Sequence, residues 1–216
     1  MTKPRPDLRE RKKQATKEAL RSAALRLALE RGPENVRVDD IAEAAGVSPR
    51  TYNNYFSSRE QAIVAAVAAE RETRVAAAVA ARPADVSLAE AIIDAVVEQY
   101  TDPGHPAGDV LLMITTNPAL RACYIDAAAM IEDPLAAAII ERAPSVDRLT
   151  AQALSASVGA AARVALRQWL ESTAPSPSTS GFVIVSGSLP TLMRTALTPL
   201  APALDAVVPL RGGPPR

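Results

Sequence analysis

Cysteine, histidine and aromatic side chains are nearly missing from this 216-residue chain, which has one Cys, one His, one Trp, two Phe and four Tyr. The single Cys123 excludes an intramolecular disulfide and makes a thiolate metal cluster unexpected. Reactive groups are equally thin: there is no glycine-rich phosphate loop and no HExxH or GxSxG pattern. His105, between Gly104 and Pro106, reads as a turn residue, because no partner for acid–base work stands near it. The paired carboxylates Asp39-Asp40 and Glu132-Asp133 are adjacent in sequence, so on a helix they diverge. Neither catalysis, a cofactor nor a metal is expected. No apolar run approaches the roughly 20 residues that span a bilayer, and no signal-peptide pattern opens the chain. The expectation is a cytoplasmic protein without a membrane partner.

Net charge is also absent, with 24 basic against 24 acidic residues. Their distribution is uneven. Residues 1–60 carry thirteen Lys or Arg against nine Asp or Glu, and the remainder eleven against fifteen. All four lysines, Lys3, Lys12, Lys13 and Lys17, lie in the first 17 residues. A small basic head on an acidic body is the charge pattern of a nucleic-acid binder.

What is present is a motif at residues 37–56. Ile41, Ala42 and Ala45 recur at helical spacing, predicting a short helix from Val38 to Ala45. Gly46 follows, where a left-handed residue ends a helix without a Cβ penalty. Val47 would plug the corner. Ser48 stands at an N-cap position and Pro49 at the first helical position, where its missing N–H matters least. A second helix, Pro49 to Tyr55, starts there, and Ala42 leaves room for it to cross closely. The pair reads as a helix-turn-helix.

The scarce aromatics concentrate in the same place, with Tyr52, Tyr55 and Phe56 falling within five positions. Tyr52 and Phe56 share a face and are assigned to the head's core. Arg50, Thr51, Asn53, Asn54 and Tyr55 are left for solvent or a partner. Asn and Arg make bidentate contacts to adenine and guanine edges, while hydroxyls suit phosphate oxygens.

The rest of the chain reads as helical almost throughout, so its 18 prolines must mark ends, starts or kinks. A first helix is predicted from Asp7 to Glu30, a fourth from Ser58 to Ala81, a fifth from Leu88 to Tyr100 capped by Ser87, and a sixth from Ala107 to Thr116. A seventh runs from Asn117-Pro118 to Arg142, with Leu120, Tyr124, Ala127, Ile131, Leu135 and Ala138 on one face; Pro134 predicts a kink or two helices. An eighth covers Val146 to Ser172 and a ninth begins near Leu189-Pro190. Residues 182–188 fit no element. Residues 1–6 and 207–216 are expected to be disordered tails. The fold class is all-α, about nine helices, with a three-helix DNA-binding head at 7–62 and a larger helical body at 63–206.

From about Leu8 to Val67 the chain resembles the N-terminal domain of the TetR family of transcriptional regulators. The features that carry this are the long first helix ending at Arg31-Gly32, the helix-turn-helix, and the link Ser57-Ser58-Arg59-Glu60-Gln61-Ala62-Ile63 into a fourth helix. Residues Asn117 to Trp169 resemble the ligand domains of actinobacterial members related to mycofactocin-system regulators. The resemblance implies a homodimer paired through its last two helices, a double-stranded DNA operator, and a small-molecule effector held in the body. Position by position it implies base contacts from Arg50, Thr51 and Asn53, a base or phosphate contact from Asn54, and phosphate grips from Tyr55 and Arg59. Ser48 would cap the helix and assist nearby. Arg37 stands where the family has a hydroxyl cap, and is expected to reach a phosphate instead, as are Lys12 and Lys13. Leu112, Met113, Tyr124, Met130, Ile131 and Trp169 are the residues expected to line an effector cavity, with plain core as the alternative. Arg121, Arg163 and Arg167 are body cations that read first as a solvated helix face; one pointing inward would favour an anionic effector such as an acyl thioester. One short recognition helix reads few base pairs, so two heads on a palindrome are expected. The expected function is a dimeric repressor released by its effector; the alternative is a dimeric DNA binder without a ligand, controlled by concentration or a protein partner.

Overall fold

A computed structural model describes residues 8–101, 107–127, 131–173 and 188–208. Eleven α-helices appear among them: α1 Leu8–Arg31, α2 Val38–Ala44, α3 Pro49–Asn53, α4 Arg59–Ala81, α5 Leu88–Thr101, α6 Ala107–Thr116, α7 Pro118–Asp126, α8 Glu132–Arg142, α9 Arg148–Thr173, α10 Leu189–Leu197 and α11 Ala201–Ala206. Short 3-10 turns occupy Pro33–Asn35 and Thr198–Leu200. No strand occurs among the described residues.

The excess over nine helices has two causes. The predicted seventh helix is two, α7 and α8, and the predicted ninth is interrupted at Thr198–Leu200, where Pro199 removes a backbone donor. The first break does not fall at Pro134. That residue lies in the first turn of α8, where its missing N–H has no carbonyl to meet. The apolar stripe nonetheless holds across the break, since Leu120, Tyr124, Ala127, Ile131, Leu135 and Ala138 are all buried.

The chain clusters into two compact units, one within Met1–Val67 and Gly108–Cys123, the other within Ala68–Ala107 and Tyr124–Arg216. In the first, α1 buries Leu20, Ala23, Ala24, Leu27 and Ala28 and packs on α2, which packs on α3. Ile41 and Ala42 of α2 and Tyr52 of α3 are fully buried. In the second, α9 packs against α8 and α10, while α10 and α11 pack against α5. Ile92, Leu135, Ile139, Leu166, Leu170, Met193 and Leu204 supply large apolar groups to it.

Residues Arg148–Ser172 of α9 are long and apolar enough, by length and composition, to cross a membrane, contrary to the expectation that no apolar run approaches that length. Alanines together with leucines and valines give the helix this character, and 39% of its most apolar stretch is buried in the chain. Val207 and Val208, assigned to the tail, continue past α11 half-buried, with the Val208 N–H donating to the Asp205 carbonyl at 3.2 Å. The expected N-terminal arm, His105, Met130, the segment 182–187 and the residues after Val208 lie outside the described residues.

Candidate nucleic-acid interface

Local chemistry shapes the helix-turn-helix. Arg37 precedes α2 in an extended conformation, and a guanidinium has no acceptor with which to cap. Asp40, three residues on, supplies the bond instead: its carboxylate accepts from the Arg37 N–H at 3.1 Å. Gly46, at φ +69°, turns the chain out of α2. The half-buried Val47 donates its N–H to the Ala42 carbonyl at 2.9 Å, closing the corner. Ser48 caps α3, its Oγ accepting from the Thr51 N–H at 3.1 Å, with Pro49 in the first turn.

Below this surface, the Tyr52 and Phe56 rings pack at a 45° tilt with 5.9 Å between their centroids. The Tyr52 hydroxyl donates to the Ser58 carbonyl at 2.7 Å, tying the end of α3 to the start of α4. Burial, with a smaller contribution from the Glu60 carboxylate, pushes the Tyr52 phenol up to about 12. Burial also raises Glu60, but hydrogen bonds from Arg59, its own backbone N–H and Ser58, with the Arg59 charge, outweigh it and hold the carboxyl below its usual range.

Arg59, expected to grip a phosphate, turns most of its donors onto the head. Its Nη1 donates to the carbonyls of Glu34 (3.0 Å) and Val36 (2.9 Å), and its Nε to Glu60 at 2.7 Å. Three of its five N–H donors are thus turned onto the head itself, holding the loop before α2 to the start of α4. Residues 23 and 25 positions away supply those carbonyls, so no local pattern announced the role.

The remaining expected contacts divide into two groups. Lys12, Lys13, Thr51, Asn54 and Tyr55 come together with Arg9 and Thr16 around an open cleft of about 360 Å³. Four of these lie on α1 and three on α3 and the turn after it. Arg50 and Asn53 are exposed on the same short helix, and Arg37 is exposed at the start of α2. Sequence reading missed Arg9 and Thr16. Their spacing from Lys12 and Lys13, three or four residues each way, was the available signal, because residues so spaced share a helix face.

The expected effector residues fall in both units. Leu112 and Met113 belong to the first unit, where Leu112 is 63% exposed and Met113 half-buried. Tyr124, Ile131 and Trp169 belong to the second, with Tyr124 and Ile131 buried and Trp169 half-buried. Of the body cations, Arg121 donates to the Thr115 carbonyl at 2.8 Å at the end of α6, Arg163 is half-buried and Arg167 exposed. Among the described residues the buried arginine is Arg71, 3% exposed, which donates to the Tyr124 hydroxyl and lies 4.8 Å from that ring's centroid. Its sequence neighbourhood, charged on both sides, offered no hint of burial.

A capped helix-turn-helix with cationic and amide groups exposed on one side defines a DNA-binding protein. Comparison with known proteins agrees. The family model described as "Bacterial regulatory proteins, tetR family" matches residues 20–67. The HTH-type transcriptional regulator TcmR of Streptomyces glaucescens is 30% identical over 177 residues, covering 76% of this chain and 77% of TcmR. The chain therefore belongs to the TetR family of transcriptional regulators, which are not enzymes. Two solved structures are also similar to it. Thermus thermophilus FadR, a TetR family transcriptional repressor in complex with lauroyl-CoA, is 19% identical with a TM-score of 0.47, covering 93% of this chain and 98% of that one. The fatty acid degradation regulator FadR from Bacillus halodurans is 16% identical with a TM-score of 0.39, covering 92% and 97%.

Proposed function

We propose that this regulator is a repressor that binds a palindromic operator as a homodimer through residues 7–62 and is released by a small-molecule effector held in the remaining body. The observation that carries the DNA reading is the cleft that Arg9, Lys12, Lys13 and Thr16 of α1 share with Thr51, Asn54 and Tyr55. Cationic and hydroxyl groups of this kind suit phosphate oxygens, while Arg50 and Asn53, exposed on α3, suit base edges. Arg37 is a further phosphate contact. Ser48 acts through the cap on α3, which aims these groups. Arg59 is left out of the proposed contact set because three of its five donors serve the head.

The dimer reading is supported by α9. Leu149 is 76% and Val164 60% exposed, and the exposed Ala153 lies between them at helical spacing. Exposed apolar faces of this kind are covered by a partner, here a second copy. The effector is an apolar molecule with an anionic end, such as an acyl thioester. Tyr124, Ile131 and Trp169 serve its apolar part, and the buried Arg71 guanidinium is the group suited to its charge. Its workplace is the cytoplasm, where the operator lies.

The test is fluorescence anisotropy of the purified chain on labelled DNA from upstream of its own gene, at several salt concentrations, with unrelated DNA alongside. The expected result is selective, salt-dependent binding that saturates at two or four chains per site. Equal weak binding to a library of operator-length palindromes and to unrelated DNA would overturn the operator reading. Selective binding that no acyl thioester or related anion weakens would favour the effector-free alternative.

A further inference from the structure

A helix end leaves carbonyls or N–H groups without intrahelical partners, and the short connection between α4 and α5 presents both kinds together. Its carbonyls converge on one side chain from α8. Arg142 Nη1 donates to the carbonyls of Val79 (3.3 Å) and Arg82 (2.8 Å), and Nη2 to those of Pro83 (3.1 Å) and Val86 (2.9 Å). All four N–H bonds of its two terminal nitrogens are thereby used. A lysine ammonium has only three donors on one point and cannot reproduce the planar fork.

The other side of the corner is held from α11. The Asp205 carboxylate accepts from the Ala89 N–H at 2.8 Å, 116 residues away in sequence, and Ser87 Oγ accepts from the next N–H, that of Glu90, at 3.1 Å. A cation thus meets the C-terminal end of α4 and an anion the N-terminal end of α5, the signs that both helix dipoles favour. Arg82, paired with Glu98 of α5, closes the same corner.

We propose that Arg142 and Asp205 form an electrostatic lock on the α4–α5 corner that sets the direction of α4, making both positioning residues for operator binding. The inference rests on the operator reading above. α4 is one uninterrupted helix whose residues up to Val67 cluster with the head unit and whose residues from Ala68 cluster with the body. Releasing the corner widens the range of directions α4 adopts and lowers the fraction of dimers whose heads match the operator. It also makes α8 and α11 the elements through which a change in the body reaches α4.

The test compares full-length Arg142→Met, Arg142→Lys and Asp205→Ala with wild type by hydrogen–deuterium exchange and by operator binding, counting only the active fraction found by stoichiometric titration. Exchange at Ala89 and Glu90 should accelerate in all three. Operator affinity should fall about tenfold for Arg142→Met and Asp205→Ala, and less for Arg142→Lys, as the binding-competent fraction drops. The salt dependence should stay unchanged, because no phosphate contact is lost. Should Arg142→Met fail to fold, the Lys and Asp205 variants carry the comparison. Unchanged exchange would overturn the lock. Faster exchange with operator affinity within about twofold of wild type would overturn the positioning role and leave a purely structural one. A wild type that does not discriminate operator would overturn the operator reading, and the positioning role with it, while exchange still decides the lock.

Discussion

In the head, the hydrogen bonds that shape the recognition helix join residues three to six positions apart, whereas those that Arg142 and Asp205 make at the α4–α5 corner of the body join residues 56 to 116 apart. The head uses hydroxyl and carboxylate caps on helices of five and seven residues. The body uses long alanine-rich helices with a few charged side chains reaching across. Short helices have little packing area per turn, so each needs its ends satisfied locally. Long helices derive their stability from apolar faces, and their ends can be satisfied by whichever element lies near. A surface that reads DNA therefore keeps its shape through its own sequence, while the body's shape depends on distant parts agreeing.

The largest expected effect breaks the head at its centre. Tyr52→Ala removes a fully buried ring and its bond to Ser58, and should destabilise the head by about 3–5 kcal/mol, measured by urea unfolding. If loss of stability were below about 1 kcal/mol, the head's core would lie elsewhere.

Alkali sharpens the same point. The unfolded chain releases the Tyr52 proton near 10, the folded head only near 12. Above pH 10 the unfolded state binds fewer protons, so stability falls as pH rises, by about 2–3 kcal/mol in all, and the Tyr52 contribution is flat below 10. Tyr52→Phe should abolish that part of the alkaline loss, measured by urea unfolding of both proteins between about pH 9 and 12.

Next come the proposed DNA contacts. Asn53→Ala should weaken operator binding by about 1–3 kcal/mol and relax sequence choice at one position, whereas Lys12→Ala should weaken all DNA together and reduce the salt slope by about 1. Equal effects on operator and unrelated DNA from Asn53→Ala would sink its assignment to a base edge.

The smallest effect separates the two readings of Arg59. Arg59→Met removes both the charge and the fork onto the Glu34 and Val36 carbonyls. It should lower head stability by about 1–2 kcal/mol and leave the salt slope of DNA binding unaltered. A lowered slope with intact stability would restore Arg59 to the phosphate contacts.

Much of the head was legible because its determinants are close in sequence. Gly46, Ser48 and Pro49 each dictate a backbone state by their own chemistry, and Tyr52 and Phe56 announce a shared face by spacing. The bracket made by Arg59 was illegible, since its acceptors are ordinary backbone carbonyls that any residue would provide. Arg9 was legible in principle through its spacing from Lys12 and Lys13, but only the approach of α1 to α3 distinguishes it from other exposed arginines. In the body, the stripe from Leu120 to Ala138 gave the correct buried face through the break between α7 and α8. Arg142 and Arg71 gave no sign, being two of many arginines on apolar helices.

By itself the sequence determined the helical class, the capped helix-turn-helix and the buried side of most helices, because caps, turns and amphipathic stripes act over three to seven residues. Only the tertiary structure decided which arginine grips carbonyls and which faces solvent, where α5 receives its second cap, and which α1 side chains share a cleft with α3. Those outcomes depend on groups brought together from distant positions, and a guanidinium's partners are set by what the fold places within its reach.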